Sequence, residues 1–342
     1  MHAMLVAMVM LGGVQQEASP YLRRMIQFDS DCPSTAVAVA VVHRGNVVYK
    51  DFFGFARPQE RTTAQTLFPL GKASDLFVSL AILSMIDSGK LKWETKPKRV
   101  PEPAASVQNL LTHTTPYESF LTNQDWQEER KEIKDWRGLF PYISTYTAGF
   151  EMGREVSESA TNSVYLVAEL LDVYKGLDLA VRTHVFKPFS LPSARITPTA
   201  PNIDRWTVVE GEVQPATGWV DFSLASAGWH GVASLEDYLA LDRGVRAQIH
   251  LKPGTWTKAT QPFLEESGFG AGFQCGLWLD ASAEEAKSIR WFGRVGGGLG
   301  GSSLYLHSPD EDLSIMILTN YEQSDALPVA EELRAIALGR VN

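Results

Sequence analysis

Residues 293–320 read G-R-V-G-G-G-L-G-G-S-S-L-Y-L-H-S-P-D-E-D-L-S-I-M-I-L-T-N, and the rest of the chain can be organised around them. Segments 303–307 and 313–319 are rich in β-forming residues and are predicted strands, as is segment 289–295. The glycines within 296–301 lack the lysine and following Ser/Thr of a phosphate-binding loop, and they stand between strands rather than before a helix. They indicate a tight connection between neighbouring strands.

The beginning of the chain supplies matching strands. Segments 35–42 and 47–55 are rich in β-forming residues, and the turn-forming cluster at 43–46 predicts an antiparallel hairpin. Another strand is predicted over 272–279. Both ends of the chain are therefore strand-rich.

Helices are predicted between and after these strands. Residues 76–86 are apolar almost all round and predict a fully buried helix that stops at Gly89, while residues 327–338 predict an amphipathic helix. We therefore predict an α/β (α+β) fold with one antiparallel sheet formed from both chain termini, flanking helices and an inserted helical region. The predicted sheet region is 19–72 and 265–342, and the mainly helical region is 73–264.

Composition is that of an ordinary globular protein. The chain has 342 residues, of which 44% are hydrophobic and 21% charged, and we predict a single domain over residues 19–342. The formal net charge of −9 and the absence of a Lys/Arg cluster argue against a phosphate-tracking surface. We therefore expect no nucleic-acid partner.

The N-terminal residues 3–14 form an apolar run that is too short to span a bilayer but suits the core of a signal peptide. We predict a signal peptide over residues 1–18, export to the periplasm or the extracellular space, and no integral membrane span in the mature chain. The alternative is a buried or frayed N-terminal segment. Cys32 and Cys275 either form a disulfide or remain two buried thiols.

Several catalytic chemistries lack their sequence signatures. The seven histidines include no H-x-H or H-E-x-x-H pair, so we predict no metal site. No G-x-S-x-G elbow provides the nucleophile of an α/β-hydrolase. We also predict no cofactor.

Four segments carry a family resemblance, and they occur in the family's order. They are 46–74, which ends in L-F-P-L-G-K-A-S; 110–116, L-L-T-H-T-T-P; 227–238, which contains A-G and S-L-E-D-Y; and 293–320. This pattern resembles the class C β-lactamase, DD-peptidase and esterase family, with its L-L-T-H-T-S-G and G-H-T-G-G-T-P-G-F-S-S…V-V-L-T-N motifs. The resemblance covers about residues 20–340 and implies a penicillin-binding-protein-like, β-lactamase/transpeptidase fold.

The family's chemistry uses a serine at the start of a buried helix and a lysine three residues later, on the same helical face. The resemblance places Lys72 at the serine position and Asp75 at the lysine position. Ser74 and Ser79 do not restore the motif, because neither is followed by a lysine at that spacing. On the edge strand, the family's K-T-G or H-T-G triplet becomes Arg294 and the two residues after it.

The family's assisting tyrosine is also missing. Its position falls on Ala160 if the alignment is anchored on Tyr165, or on Glu158 if it is anchored on Gly153. Neither alignment supplies a tyrosine. We therefore predict that serine acyl transfer is absent.

The family's oxyanion hole is built from backbone N–H groups, which would belong here to Lys72 and Gly297 and do not depend on the side chain. Three interpretations of the surrounding side chains remain open. In the first, Lys72, Asp75 and Arg294 pair with one another and fill the old pocket. In the second, the two cations outnumber the one carboxylate, and the positive pocket binds an anionic small molecule or peptide. In the third, Lys72 acts as the amine nucleophile of an enzyme with reassigned residues.

The ligand-binding candidates are Lys72, Asp75, Asn162, Arg294, Gly296 and Gly297. Asn162 either lines the pocket or caps the helix that follows it. His113, inside L-L-T-H-T-T, is expected to be structural.

Overall fold

A computed structural model of the chain describes residues 35–102, 104–133, 136–143, 149–197, 199–216, 228–264, 268–276, 289–324 and 326–340. The predicted signal peptide and Cys32 lie outside these ranges. No helix in the described ranges is both long and apolar enough to cross a membrane.

A seven-stranded antiparallel sheet joins the two ends of the chain, in the order β3-β2-β1-β12-β11-β10-β9. The strands of the chain are β1 (Ala36–His43), β2 (Asn46–Arg57), β3 (Glu60–Arg61), β4 (Phe68–Pro69), β5 (Arg195–Ile196), β6 (Trp206–Val209), β7 (Glu212–Pro215), β8 (Gly231–Ala233), β9 (Gln274–Cys275), β10 (Phe292–Gly298), β11 (Gly301–Ser308) and β12 (Leu313–Thr319). Strand β1 pairs with β12, with Val39 opposite Ile317. The predicted sheet from both termini is confirmed.

The central strands are buried on both faces because helices cover each side. Successive side chains of a strand point to opposite faces. Ala38 and Ala40 accordingly belong to the core beneath the helical region, whereas Val39 and Val41 belong to the core beneath the C-terminal helix.

The helices are α1 (Asp75–Asp87), α2 (Val107–Leu111), α3 (Gln124–Glu129), α4 (Phe140–Ile143), α5 (Ala160–Val173), α6 (Leu177–Val181), α7 (Leu235–Arg246), α8 (Pro253–Thr260) and α9 (Leu327–Ala337). Helix α1 is the predicted buried helix, and it ends at Asp87, two residues before Gly89, whose φ of +76° is the left-handed value expected after a helix end. Helix α9 matches the predicted amphipathic helix.

The inserted region is less uniformly helical than the sequence indicated. Strands β8 and β5 of this region join β4, which precedes it, in a three-stranded sheet, and β6 pairs with β7 in a separate hairpin. These strands have two to four residues each, too few to produce a recognisable period in the sequence.

Candidate active site

The site lies where the 3₁₀ turn Gly71–Ser74 meets the edge of strand β10. Gly71 has a φ of +52°, and a Cβ atom there would lie 2.6 Å from the carbonyl oxygen of Gly297. A Cβ atom on Gly296 would lie 2.7 Å from the backbone nitrogen of Ala73. These two glycines therefore let the turn and the strand touch through their backbones, which places Lys72 beside β10.

An inner ion pair joins the first residue of α1 to β10. Arg294 Nη2 donates to Asp75 Oδ2 at 3.0 Å, and the two side chains are only 2% and 7% exposed. Asp75 also accepts hydrogen bonds from Ser163 Oγ at 2.8 Å and Trp229 Nε1 at 3.1 Å. Burial raises the pKa of Asp75 to about 6, against the lowering effect of Arg294 and of the Ser163 hydrogen bond. Asp75 is therefore largely ionised at neutral pH and has three donors.

An outer ion pair lies next to the inner one. Lys72 Nζ is 2.9 Å from Glu158 Oε2, and these side chains are 29% and 25% exposed. Glu158 Oε1 is 3.2 Å from Arg294 Nη2, so the two pairs are linked. Burial by itself would raise the pKa of Glu158, but Arg294 and Lys72 outweigh it and hold the pKa below its ordinary value.

The four side chains form a row of alternating charge, in the order Lys72, Glu158, Arg294, Asp75. With both acids ionised, the formal charge of the row is zero. The sequence indicated two cations against one carboxylate at this site. That count is wrong, because Glu158 supplies a second carboxylate. Lys72 pairs with Glu158 rather than with Asp75.

Comparison with models of known protein families identifies the family of the chain. The family model described as Beta-lactamase matches residues 23–339. The chain belongs to the β-lactamase family. No curated protein matches it in sequence.

Several solved structures resemble the chain in fold. One is the octameric penicillin-binding protein homologue from Pyrococcus abyssi, with a TM-score of 0.78, 14% identity and coverage of 95% of this chain and 77% of that one. Another is the D-amino acid amidase from Ochrobactrum anthropi SV3 complexed with D-phenylalanine, with a TM-score of 0.74, 15% identity and coverage of 97% and 98%. A third is EstCE1, a hydrolase with promiscuous acyltransferase activity, with a TM-score of 0.72, 18% identity and coverage of 98% and 100%. At these identities the likeness concerns the fold.

Within this β-lactamase-family site, the two serines considered from the sequence are buried in structural roles. Ser74 has no exposed surface, and its Oγ accepts a hydrogen bond from the Gly231 backbone N–H at 3.1 Å. Ser79 is buried in α1 and packs against Gly272. A Cβ atom added to Gly272 would lie 2.4 Å from the Cβ atom of Ser79. Within the described residues, neither hydroxyl makes a hydrogen bond to Lys72 or Asp75 that would mark it as a replacement nucleophile.

Asn162 lies behind the site and does not line it. Its side chain is fully buried; its Oδ1 accepts from Thr115 Oγ1 at 2.7 Å, and its Nδ2 lies 3.1 Å from His113 Nδ1. It is not a helix cap either, because the Ser159 side chain caps α5. Both sequence-based roles for Asn162 are therefore corrected.

His113 fixes the segment that carries Glu158. Its Nδ1 accepts a hydrogen bond from the Ser159 backbone N–H at 3.2 Å. Burial first, and the charge of Arg294 second, lower the pKa of His113 to about 3, so the ring is neutral. Its role is positional, as expected from the sequence.

Of the two alignments for the missing tyrosine, only the one anchored on Gly153 places a side chain in the charge row. Glu158 contacts both Lys72 and Arg294, whereas Ala160 is buried at the first position of α5. The alignment anchored on Gly153 was therefore the sequence signal that could have identified Glu158 as a site residue. The other candidates, Gly296 and Gly297, lie on β10 beside Lys72 and are partly exposed.

Two remaining features concern metals and thiols. Within the described part of the chain, no group of three or more His, Cys, Asp or Glu side chains could hold a metal ion. Cys275 is a buried free thiol whose pKa is raised to about 12 by burial.

Proposed function

We propose that this chain is a catalytically degenerate member of the β-lactamase family that binds a carboxylate-bearing small molecule or peptide in the former active site without cleaving it. One observation carries the proposal. Asp75, at the position that the resemblance assigns to the catalytic lysine, is buried and paired with Arg294.

Serine acyl transfer needs a hydroxyl and a base that can take its proton. The position assigned to the serine holds Lys72, whose ammonium pairs with Glu158. Asp75 is only 7% exposed and already accepts hydrogen bonds from three donors, so it is poorly placed to take a proton from a substrate. Disabling such a catalytic unit costs about 10⁴ to 10⁶ in rate, so acylation by penicillins is expected to be undetectable.

Binding is supported by the exposed side of the same site. The Lys72 side chain is partly exposed and lies beside Gly296 and Gly297. A ligand carboxylate can replace Glu158 at Lys72, while Glu158 keeps its contact with Arg294.

A hydrolase with reassigned residues is the second candidate. The pKa of Asp75, raised to about 6 by burial, suits proton transfer near neutral pH. Its burial behind Lys72 and Glu158 favours the non-catalytic interpretation.

The test is to incubate the protein with a fluorescent penicillin and a chromogenic cephalosporin, and to follow intact mass and colour. We expect neither an adduct nor turnover. A covalent acyl adduct on the wild-type chain, or turnover of the cephalosporin, would overturn the proposal.

A gain-of-function variant provides the positive control. Lys72→Ser with Asp75→Lys and Glu158→Tyr restores the family's three groups at the positions that face each other. We expect acylation in this triple variant but not in the matched triple variant that carries Ala160→Tyr in place of Glu158→Tyr.

A further inference from the structure

The two halves of the charge row differ in their access to a ligand. The inner pair, Arg294 and Asp75, is almost fully buried, whereas about a quarter of each outer side chain, Lys72 and Glu158, is exposed. Lysine is a flexible side chain with a compact charge at its end. A ligand therefore meets the outer pair first, and the outer pair can open.

Opening the outer pair exposes one charge of each sign. A simple carboxylate bound to Lys72 gives the neutral row a net charge of −1 and leaves Glu158 Oε2 without its cation. A simple amine bound to Glu158 leaves Lys72 without its anion. An unpaired charge in a partly buried site is costly, so a ligand that carries both charges is favoured over either ligand that carries one.

The inner pair keeps the opened site in shape. Glu158 Oε1 stays 3.2 Å from Arg294 Nη2, and Arg294 is held by Asp75. The residue after Glu158 is fixed by its bond to His113. Glu158 Oε2 is thus held in place to accept an ammonium group, and little side-chain ordering is needed on that side.

We propose that the site binds a zwitterion of the α-amino acid type, with the ligand carboxylate on Lys72 and the ligand ammonium on Glu158. This inference rests on the proposed function, because it requires a site that binds without cleaving. It narrows the ligand from any carboxylate to one that also carries a cationic amine next to the carboxylate. No covalent step is involved.

Three ligands of similar size separate the possibilities. Phenylalanine carries both charges, 3-phenylpropionate only the carboxylate, and 2-phenylethylamine only the ammonium. Titrations of each at neutral pH, followed by calorimetry or by amide chemical shifts, should give an affinity for phenylalanine at least about tenfold above either analogue, which corresponds to about 1.4 kcal/mol. Both enantiomers should be used, since the charge argument does not select one.

Variants of the outer pair identify the contacts. Lys72→Met should abolish phenylalanine binding. Glu158→Gln should weaken phenylalanine but strengthen 3-phenylpropionate, because the row then carries a net positive charge. Lys50→Met is the matched control: Lys50 and Glu236 form an exposed pair of the same 2.9 Å length elsewhere on the chain, and its loss should change no affinity.

Failure here is distinguishable from failure of the proposed function. If the wild-type protein binds 3-phenylpropionate as tightly as phenylalanine, or binds none of the three ligands, the zwitterion inference is wrong. Acylation by penicillin, measured separately, decides the catalytic question whatever these titrations give.

Discussion

Two buried aspartates, Asp75 and Asp242, have different neighbours but similarly raised pKa values. Burial raises the pKa of each to about 6. Asp75 has a buried arginine 3.0 Å away. Asp242 has Arg246 only at 4.0 Å, and that arginine also pairs with Asp312 at the surface. Asp242 depends instead on hydroxyls, accepting from Ser314 Oγ at 2.6 Å and Tyr305 Oη at 3.1 Å.

The comparison shows that a perturbed pKa reports burial and does not by itself identify a functional site. Asp242, Ser314 and His307 even form a connected Asp-Ser-His group, with His307 Nδ1 2.9 Å from Ser314 Oγ. Ser314 has no exposed surface, and the aspartate contacts the serine rather than the histidine. That group is structural, whereas Asp75 lies next to the partly exposed pair of Lys72 and Glu158.

The largest difference between the two centres should appear when the arginine is removed. Arg294→Met leaves Asp75 as an uncompensated buried charge, so we expect a loss of about 3–5 kcal/mol in the free energy of unfolding. Arg246→Met should cost less than half as much, because Arg246 lies 4.0 Å from Asp242 and is more exposed, whereas Arg294 donates directly to Asp75 at 3.0 Å. Urea denaturation of both variants measures the difference, and equal losses would remove the distinction between the centres.

Stability as a function of pH should show what the two centres share. A folded-state pKa raised from 3.8 to about 6 means that each aspartate stabilises the native state below about pH 4, a contribution lost as the pH rises through 6. His113 and His307, whose pKa values burial lowers to about 3 and about 4, act in the opposite direction, because their contribution is lost as the pH falls below 6.5. In the wild-type protein, the opposing pH dependences of the aspartates and the histidines therefore partly cancel.

Single substitutions isolate each aspartate from that cancellation. As the pH rises from 4 to 7, the free energy of unfolding of Asp75→Asn and of Asp242→Asn should each increase relative to that of the wild type, by up to about 3 kcal/mol. Denaturation at several pH values measures the two slopes. A flat or inverted slope for Asp75 alone would mean that the charge of Arg294 outweighs burial there.

A smaller contrast concerns the serine beside each aspartate. Ser314→Ala removes contacts to Asp242, His307 and Arg246 Nη1, the last at 3.3 Å, and should cost about 2–3 kcal/mol. Ser163→Ala removes the 2.8 Å bond to Asp75, which keeps two other donors, and should cost about 1 kcal/mol. Thermal or urea denaturation tests the order, and the reverse order would contradict the assigned hydrogen bonds.

The fold could be predicted from the sequence where long elements carry a clear pattern. The hairpin β1-β2, the buried helix α1 and the strands β11 and β12 each have enough β-forming or apolar residues to be recognised. Strand β9 was predicted over 272–279, yet the structure assigns only Gln274–Cys275 within the described residues. Gly272 and Gly276 on either side have φ values of +93° and +67°, which a regular strand does not adopt.

The site could be predicted only in part, for a physical reason. Lys72, Asp75 and Arg294 stand within the motifs that carry the family resemblance, so their proximity follows from that resemblance. Glu158 lies in an irregular segment before α5, where two alignments were possible. Sequence spacing could not choose between them, because the choice depends on the His113 bond to Ser159, which is a contact between distant segments.

The smallest expected effect concerns the outer pair. Lys72→Met should lower the free energy of unfolding by about 1 kcal/mol, because an ion pair between partly exposed side chains gains little over its hydration and Glu158 keeps its contact with Arg294. Lys50→Met, which breaks a pair whose side chains are 38% and 45% exposed, should cost about the same. Urea denaturation of both variants measures the two losses in the free energy of unfolding. A loss above about 2 kcal/mol for Lys72→Met alone would mean that the ion pair of Lys72 and Glu158 is too stable to be displaced by a ligand. A small loss means that the pair can exchange partners, as zwitterion binding requires.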